Sequence, residues 1–356
     1  MNNQIIKRSG ILMIILVLFS SVSFSQFKNV DFLKSAPADG VKYLQAYVSP
    51  WANAFGSGLS GGWYNTAKPH KFGGFDLTIS TSVGIVPTSA ESFDVSKIGM
   101  TSLSGTGMTP TIAGPSKDGP LLTYKSGGTT LASFNAPKGV DWRYIPVPTA
   151  QVGVGLPFGT ELKFRFIPKV KIKDGDVSLW GVGLLHSIIQ YIPGNKLTPF
   201  DLSLFAGYTK LQGDVPLGLD PDPSVNQAYN IYKAATSFDN QNLKIAVKSL
   251  NISAIGSINL KIITFYGGLG YCKTQTTMSL SGNFPTPTAI TTSPFVQYND
   301  SGVKKGSDYP AVDIKNFSGL RANVGFRLKL AVVTIHVDYT KAQYSVLTTG
   351  LGISIR

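Results

Sequence analysis

Through much of the chain, apolar and polar residues alternate one by one. This is the period of a strand that shows one face to an apolar medium and the other to a polar one. The clearest run puts Leu320, Ala322, Val324, Phe326, Leu328 and Leu330 on one face and Arg321, Asn323, Gly325, Arg327 and Lys329 on the other. Val333, Ile335, Val337 and Tyr339 then alternate with Thr334, His336, Asp338 and Thr340. Leu347, Thr349, Leu351, Ile353 and Ile355 alternate with Thr348, Gly350, Gly352 and Ser354. The pattern recurs over 75–85 and 200–209, and over 161–172, where Lys163, Arg165, Lys169 and Lys171 share the polar face and Ile167 interrupts it. Pro168 has no amide to donate, so a bulge is expected there. These runs are longer than the about 5 or 6 residues of an ordinary globular strand. They suit a tilted membrane strand of about 9–11 residues.

Short and long links alternate between the strands. Those near Lys341, Ala331 and Leu260, at Lys173-Asp174-Gly175 and at Phe158-Gly159 are short, and 188–197 is moderate; 277–315, 212–240 and 87–146 are long. If the last strand ends in the periplasm, every long link falls outside, the arrangement of outer-membrane barrels. About ten strands are plain from residue 73 onward. A candidate hairpin, Leu121 to Tyr124 and Thr129 to Phe134 around Ser126-Gly127-Gly128, raises the expectation to about 12, with 10–14 allowed. The fold expected over 59–356 is therefore all-β, a transmembrane antiparallel barrel with a polar lumen.

Residues 26–58 read differently. Val41, Leu44, Tyr47, Val48 and Trp51 have helical spacing, Pro50 interrupts or bends that helix, and 56–62 is rich in glycine. We read this segment as a helical plug inside the barrel or a periplasmic cap, with Tyr47, Trp51 and Trp63 as its anchors; an interfacial helix or a mobile leader is the alternative. Residues 1–25 have the form of an export signal: Lys7 and Arg8, an apolar run from Ile11 to Phe19, and Ser23-Phe24-Ser25 before Gln26. No later run of about 18 apolar residues follows, so no transmembrane helix is expected. The location expected is the outer membrane of a Gram-negative cell, with a soluble exported β-protein as the competing class.

Composition agrees. Charged residues make up 14% of the chain, against about 25% in soluble domains; 38 Gly, 15 Tyr and 20 Phe suit a barrel wall with aromatic girdles. The net charge of +13 would fit a nucleic-acid binder, but no such motif is present, and the alternation sends the cations inward. Lys163, Arg165, Lys169, Lys171, Arg321, Arg327 and Lys329 would crowd the lumen together with His336 and Asp338. Like charges in a confined space repel, so compensation is expected from Glu161, Asp76, Asp201 and Asp338, from the plug, or from an anionic solute.

Chemistry is sparse. Gly58-Leu59-Ser60-Gly61-Gly62 has the G-x-S-x-G spacing without the strand before and helix after that a nucleophile elbow requires. His70, His186 and His336 form no helical metal pair. Asp214, Asp220 and Asp222 are separated by prolines and lack calcium-loop spacing. Cys272 is the single cysteine and forms no internal disulfide. No enzyme activity, metal or cofactor is expected. A lipid hydrolase would need Ser and His on the lipid-facing wall, whereas His336 points inward.

Gly62-Trp63-Tyr64-Asn65-Thr66-Ala67-Lys68, His70-Lys71, Gly74-Phe75-Asp76-Leu77-Thr78, Gly159-Thr160-Glu161 through Lys169, and Gly183 to Pro193 with His186-Ser187-Ile188 resemble an outer-membrane barrel family of Bacteroidetes-type bacteria that has no established activity. The layout of a lumen segment followed by a barrel is also similar to that of long-chain fatty-acid transporter barrels. Their Asn-Pro-Ala signature is replaced here by Ser49-Pro50-Trp51-Ala52, and the chain ends Ile355-Arg356 rather than on an aromatic residue. The function expected is transport of small hydrophobic or anionic molecules. The rival is a structural barrel whose outer loops bind a protein partner, and a weaker third is the lipid hydrolase. The partners expected are outer-membrane lipid, a small-molecule substrate and a protein bound by the outer loops, with no nucleic acid.

Overall fold

The computed structural model describes residues 37–126, 129–172, 175–193, 199–216, 240–285, 289–290, 296–297, 303–305, 311–314 and 318–355. The export signal, the Lys173-Asp174 turn and the Asp220/Asp222 loop lie outside the described residues. Ten strands close into one antiparallel barrel: β1 (Phe75–Ile85), β2 (Tyr144–Leu156), β3 (Thr160–Ile172), β4 (Gly175–Ser187), β5 (Phe200–Pro216), β6 (Asn242–Leu260), β7 (Ile263–Ser281), β8 (Ser318–Leu330), β9 (Val333–Lys341) and β10 (Val346–Ile355). Neighbours in sequence pair, and β10 returns to β1 from Phe75↔Ile355 to Gly84↔Val346. The wall therefore has ten strands rather than about twelve. The hairpin expected within 87–146 does form, as Leu121–Ser126 with Thr129–Asn135, but it lies in a cap beyond the barrel rim.

The two faces of the wall are solvated oppositely. On β8, Leu320 is 83% exposed while its neighbour Arg321 is 5%. Outward Val324, Phe326, Ile335, Leu351 and Ile353 are likewise exposed, and inward Arg327, His336, Asp338 and Thr348 are buried. Soluble folding would invert this, because water would meet the aliphatic side chains and the charges would lose their solvent. A bilayer around the wall reconciles both faces.

One end of the barrel carries the tight connections 157–159, 261–262 and 331–332. Phe158, Lys261 and Ala331 there take φ of 60°, 44° and 54°, the left-handed backbone that short hairpins need. We call this the turn end. The opposite, loop end carries the connections 86–143, 217–241 and 282–317. The first of these builds a cap from two small sheets, Ser92–Asp94 with Met108–Pro110, and Leu103–Ser104 with the 121–135 hairpin.

Helix α1 (Pro37–Leu59) fills the lumen. Its first half packs Tyr43, Tyr47 and Val48 against Val95, Leu103, Ile112, Leu122 and Ile314 of the cap and loop end. Asp39 accepts the amides of Thr101, Ser102 and Leu103. Burial alone would raise its pKa, but these amides and nearby Lys42 outweigh it and hold the carboxyl below its usual range. Pro50 leaves the helix continuous, and the Ser49 hydroxyl donates to Gln45 O one turn back. Lower down, a Cβ on Gly84 of β1 would sit 2.0 Å from Ala54 O, so only glycine lets helix and wall come this close. Past Leu59 the chain stays inside to reach the turn end, and wall structure begins at Phe75. Residues 60–74 thus belong to the lumen segment, not to the barrel wall as expected.

Candidate functional site

The inward cations have a partner: the C-terminal end of α1. A helix leaves its last carbonyls unpaired and carries partial negative charge there. Arg165 of β3 donates to Leu59 O at 2.8 Å and Gly61 O at 2.6 Å. Its guanidinium lies 3.7 Å from the centre of the Trp63 ring. From the opposite wall, Arg321 of β8 donates to Ser60 O at 2.7 Å, joined by Asn251 of β6 at 3.1 Å. Arg327 holds Asn65 Oδ1, and Tyr64 donates to Asn323. Compensation for the basic face therefore comes chiefly from the plug's own carbonyls, which no sequence pattern displays.

Near the turn end, the leading segment meets the wall through a second, fully buried cluster. His70 Nδ1 is 2.9 Å from Glu161 Oε2, which also accepts the His70 amide. His70 Nε2 is 2.9 Å from Ser354 Oγ. Lys163 pairs with Glu161 and lies 4.0 Å from Asp76 Oδ1. His70, Asp76 and Glu161 bring ligand atoms within 4.8 Å of one another, yet the Lys163 ammonium already supplies the cation between the carboxylates. The Ser354–His70–Glu161 order matches that of a hydrolytic relay, but Ser354 is 2% exposed and lies in the interior rather than on the lipid face. As arranged, these groups anchor the segment. A cavity of about 320 Å³ opens beside them at the turn end, lined by Lys68, His70, Lys71, Phe72, Phe158 and Ser187 among others.

The remaining expected site residues separate. Tyr47 donates to Lys138 O and Trp51 to Trp142 O, so both anchor the plug beneath the cap; Trp63 lies under Arg165. His336 is 1% exposed and neither ring nitrogen has a hydrogen-bond partner among the described residues. Asp338 accepts from Tyr266 rather than pairing with His336. Lys169 and Lys171 do not join the lumen crowd. The register slips between Ile167 and Val170, as Pro168 predicts, and past the slip Lys169 is exposed beside Asp176 at 3.0 Å while Lys171 is exposed. Lys329 is half-buried near the turn end.

A further feature went unread in the sequence. β2 and β3 each run 13 residues, yet only six rungs join them, from Leu156↔Thr160 to Gln151↔Arg165. Among the described residues no rung links 144–150 to 166–172. The cause is proline. Val86 N–H→Arg143 O and Gly155 N–H→Gly74 O fix the phase, so odd-numbered β2 amides face β1 and even-numbered ones face β3. Pro146 and Pro148 remove two donors from the edge that faces β3, and Pro168 removes the matching donor from β3. Behind this seam the lumen is apolar. Val147, Ile167, Val177, Leu179, Leu211, Ile245 and Val247 take inward positions around Phe55 and Leu59. The alternating prolines of Ile145-Pro146-Val147-Pro148 were the legible signal.

Comparison with solved structures finds outer-membrane β-barrels at low similarity. OmpT, the outer membrane protease of Escherichia coli, is 9% identical, with 79% of this chain and 97% of that chain covered and a TM-score of 0.31. Ail, the attachment invasion locus protein of Yersinia pestis, is 9% identical over 80% of this chain and 99% of that chain, at TM-score 0.25. The toluene transporter TodX of Pseudomonas putida is 8% identical over 79% and 67%, at TM-score 0.28. At these values the likeness carries no argument about this chain, and the barrel rests on its own strand pairing. No curated protein matches. A family model matches residues 5–355, nearly the whole chain, and the protein belongs to that family, DUF6588, a family of unknown function.

Proposed function

We propose that this protein is a plugged outer-membrane barrel that passes small apolar molecules between the bilayer and its lumen through the β2–β3 seam. One observation carries the reading: wall pairing stops after six rungs where three prolines face the seam, directly beside an apolar stretch of lumen. By the rule that long loops lie outside, the loop end faces outward. The cap packs on the first half of α1 at that end, which favours access from the wall. Passage of anions is not favoured, because Arg165, Arg321 and Lys163 are engaged by the plug and by buried carboxylates.

The test is uptake of the apolar fluorophore N-phenyl-1-naphthylamine into proteoliposomes. In an Ala150→Cys/Phe166→Cys variant, bridging the seam with a bismaleimide that carries an internal disulfide is expected to abolish the protein-dependent rate, and reducing that disulfide with dithiothreitol to restore it. An unchanged rate would overturn the proposal. A second reading, a scaffold that presents its outer face to a protein partner, is supported by the cap itself, which has its own small sheets and shares a core with α1. Deleting the 121–135 hairpin would abolish partner capture on that reading and leave uptake intact on the first.

A further inference from the structure

We propose that Gln151 and Arg165 form a latch that couples the plug to the seam, so that β2 and β3 part further only when the lower end of α1 is released. The inference rests on the seam reading above and names the regulation of that site.

Gln151↔Arg165 is the last rung before pairing stops. By the phase already fixed, its odd-numbered residues turn their amides away from the seam, so the backbone exchanges no hydrogen bond there. The rung is closed by side chains instead: Arg165 Nε donates to Gln151 Oε1 at 3.1 Å. Each partner also grips the plug. Gln151 Nε2 donates to Trp63 O at 3.1 Å, and Arg165 holds Leu59 O and Gly61 O while stacking on the Trp63 ring. Arg165 is 1% exposed and Gln151 4%. Non-hydrogen-bonded rungs bring side chains closest, so this pair sets the strand spacing at the point where the seam ends. Moving the plug's lower turn removes two carbonyl acceptors and a ring from a buried guanidinium. Its remaining bond to Gln151 cannot satisfy it, so the rung must rearrange.

The experiment uses the full-length protein in lipid with Cys272→Ala and spin labels at Ala150→Cys and Phe166→Cys, outward positions on either side of the seam. Electron-spin distance distributions give the seam width, and fluorophore uptake is measured in parallel. Gln151→Ala removes the side-chain bonds of β2 to the plug and to Arg165 while leaving Arg165 its carbonyls. It is expected to broaden the distribution and raise uptake several-fold. Arg165→Lys, which keeps the charge but not the fork, is expected to do so by a smaller factor. Asn251→Ala removes a plug contact on the far wall, and the labelled seam is expected to keep its width. An unchanged distribution in Gln151→Ala, or equal broadening in Asn251→Ala, would overturn the latch. A widened seam without faster uptake would support the latch and refute transport. Heat-modifiable gel migration confirms that each variant is folded.

Discussion

Lys163→Met tests the buried cluster that ties the leading segment to the wall. The side chains of Lys163, Glu161 and Asp76 are 6%, 1% and 8% exposed, so solvent cannot compensate for a lost partner. Methionine keeps the volume and removes the charge, leaving two buried carboxylates facing each other beside His70. Breaking a buried pair on one side costs about 3–5 kcal/mol, a large part of the roughly 5–15 kcal/mol that holds an ordinary domain folded. The variant also removes the ammonium that competes with a metal ion for His70, Asp76 and Glu161, whose ligand atoms lie within 4.8 Å of one another. One imidazole and two carboxylates suit Zn²⁺, and zinc at 100 times its dissociation constant would restore about 2.7 kcal/mol. The assay is urea unfolding in lipid vesicles, followed by tryptophan fluorescence with and without zinc. Parent protein is expected to show no zinc dependence, Lys163→Met to regain stability with zinc, and Lys163→Met/Glu161→Gln to recover part of the loss without zinc. A cost below about 0.5 kcal/mol, the scale of neutral surface changes, would refute the claim that Lys163 is the cluster's cation.

Three further outcomes are expected. Gly84→Ala forces a Cβ to 2.0 Å from Ala54 O; overpacking of about 1–3 kcal/mol should push α1 off the wall, read as faster limited proteolysis of the plug. Ala331→Gly relieves a left-handed residue at φ 54° and should stabilise the barrel by about 1 kcal/mol in the same urea assay. Asp39 titrates lower folded than unfolded, so its hold on 101–103 is complete above the unfolded value near about 3.9 and is lost as pH falls through the lower folded one. Pepsin cleavage of the cap should therefore rise only in strong acid, and Asp39→Asn should remove that dependence.

The wall was legible because alternation is a local consequence of facing two solvents, and Leu320/Arg321 or Ile335/His336 display it directly. The helical plug was legible from Val41 to Trp51 for the same reason. Strand number was less so. The 121–135 hairpin has the local pattern of β structure, and only its strands of six and seven residues, short of the about 9–11 a span needs, hinted that it belongs to the cap. Lys169 and Lys171 were misplaced because a period of two was counted straight through Pro168, where one slip reverses the faces. The anchors at Leu59, Ser60 and Gly61 are backbone carbonyls, and main-chain acceptors carry no residue-type signature. His70–Ser354 joins residues 284 positions apart, a pairing that only closure of the ring brings about.

The route of the leading segment has a consequence for assembly. Helix α1 begins among the loops, while the chain leaves the lumen at the opposite rim to start β1, so the polypeptide is threaded through a ring made from its own later residues. The ring is sealed by β1 against β10, the first and last strands to be made, and a 23-residue helix that carries Trp51 and is followed by Trp63 could not slide through once that seal had formed. Insertion must therefore proceed with the helix already seated, or with the β1–β10 join held apart until it is. The helix N-terminus at Pro37 lies on the loop side. A passenger fused there would be carried to the same rim as the cap.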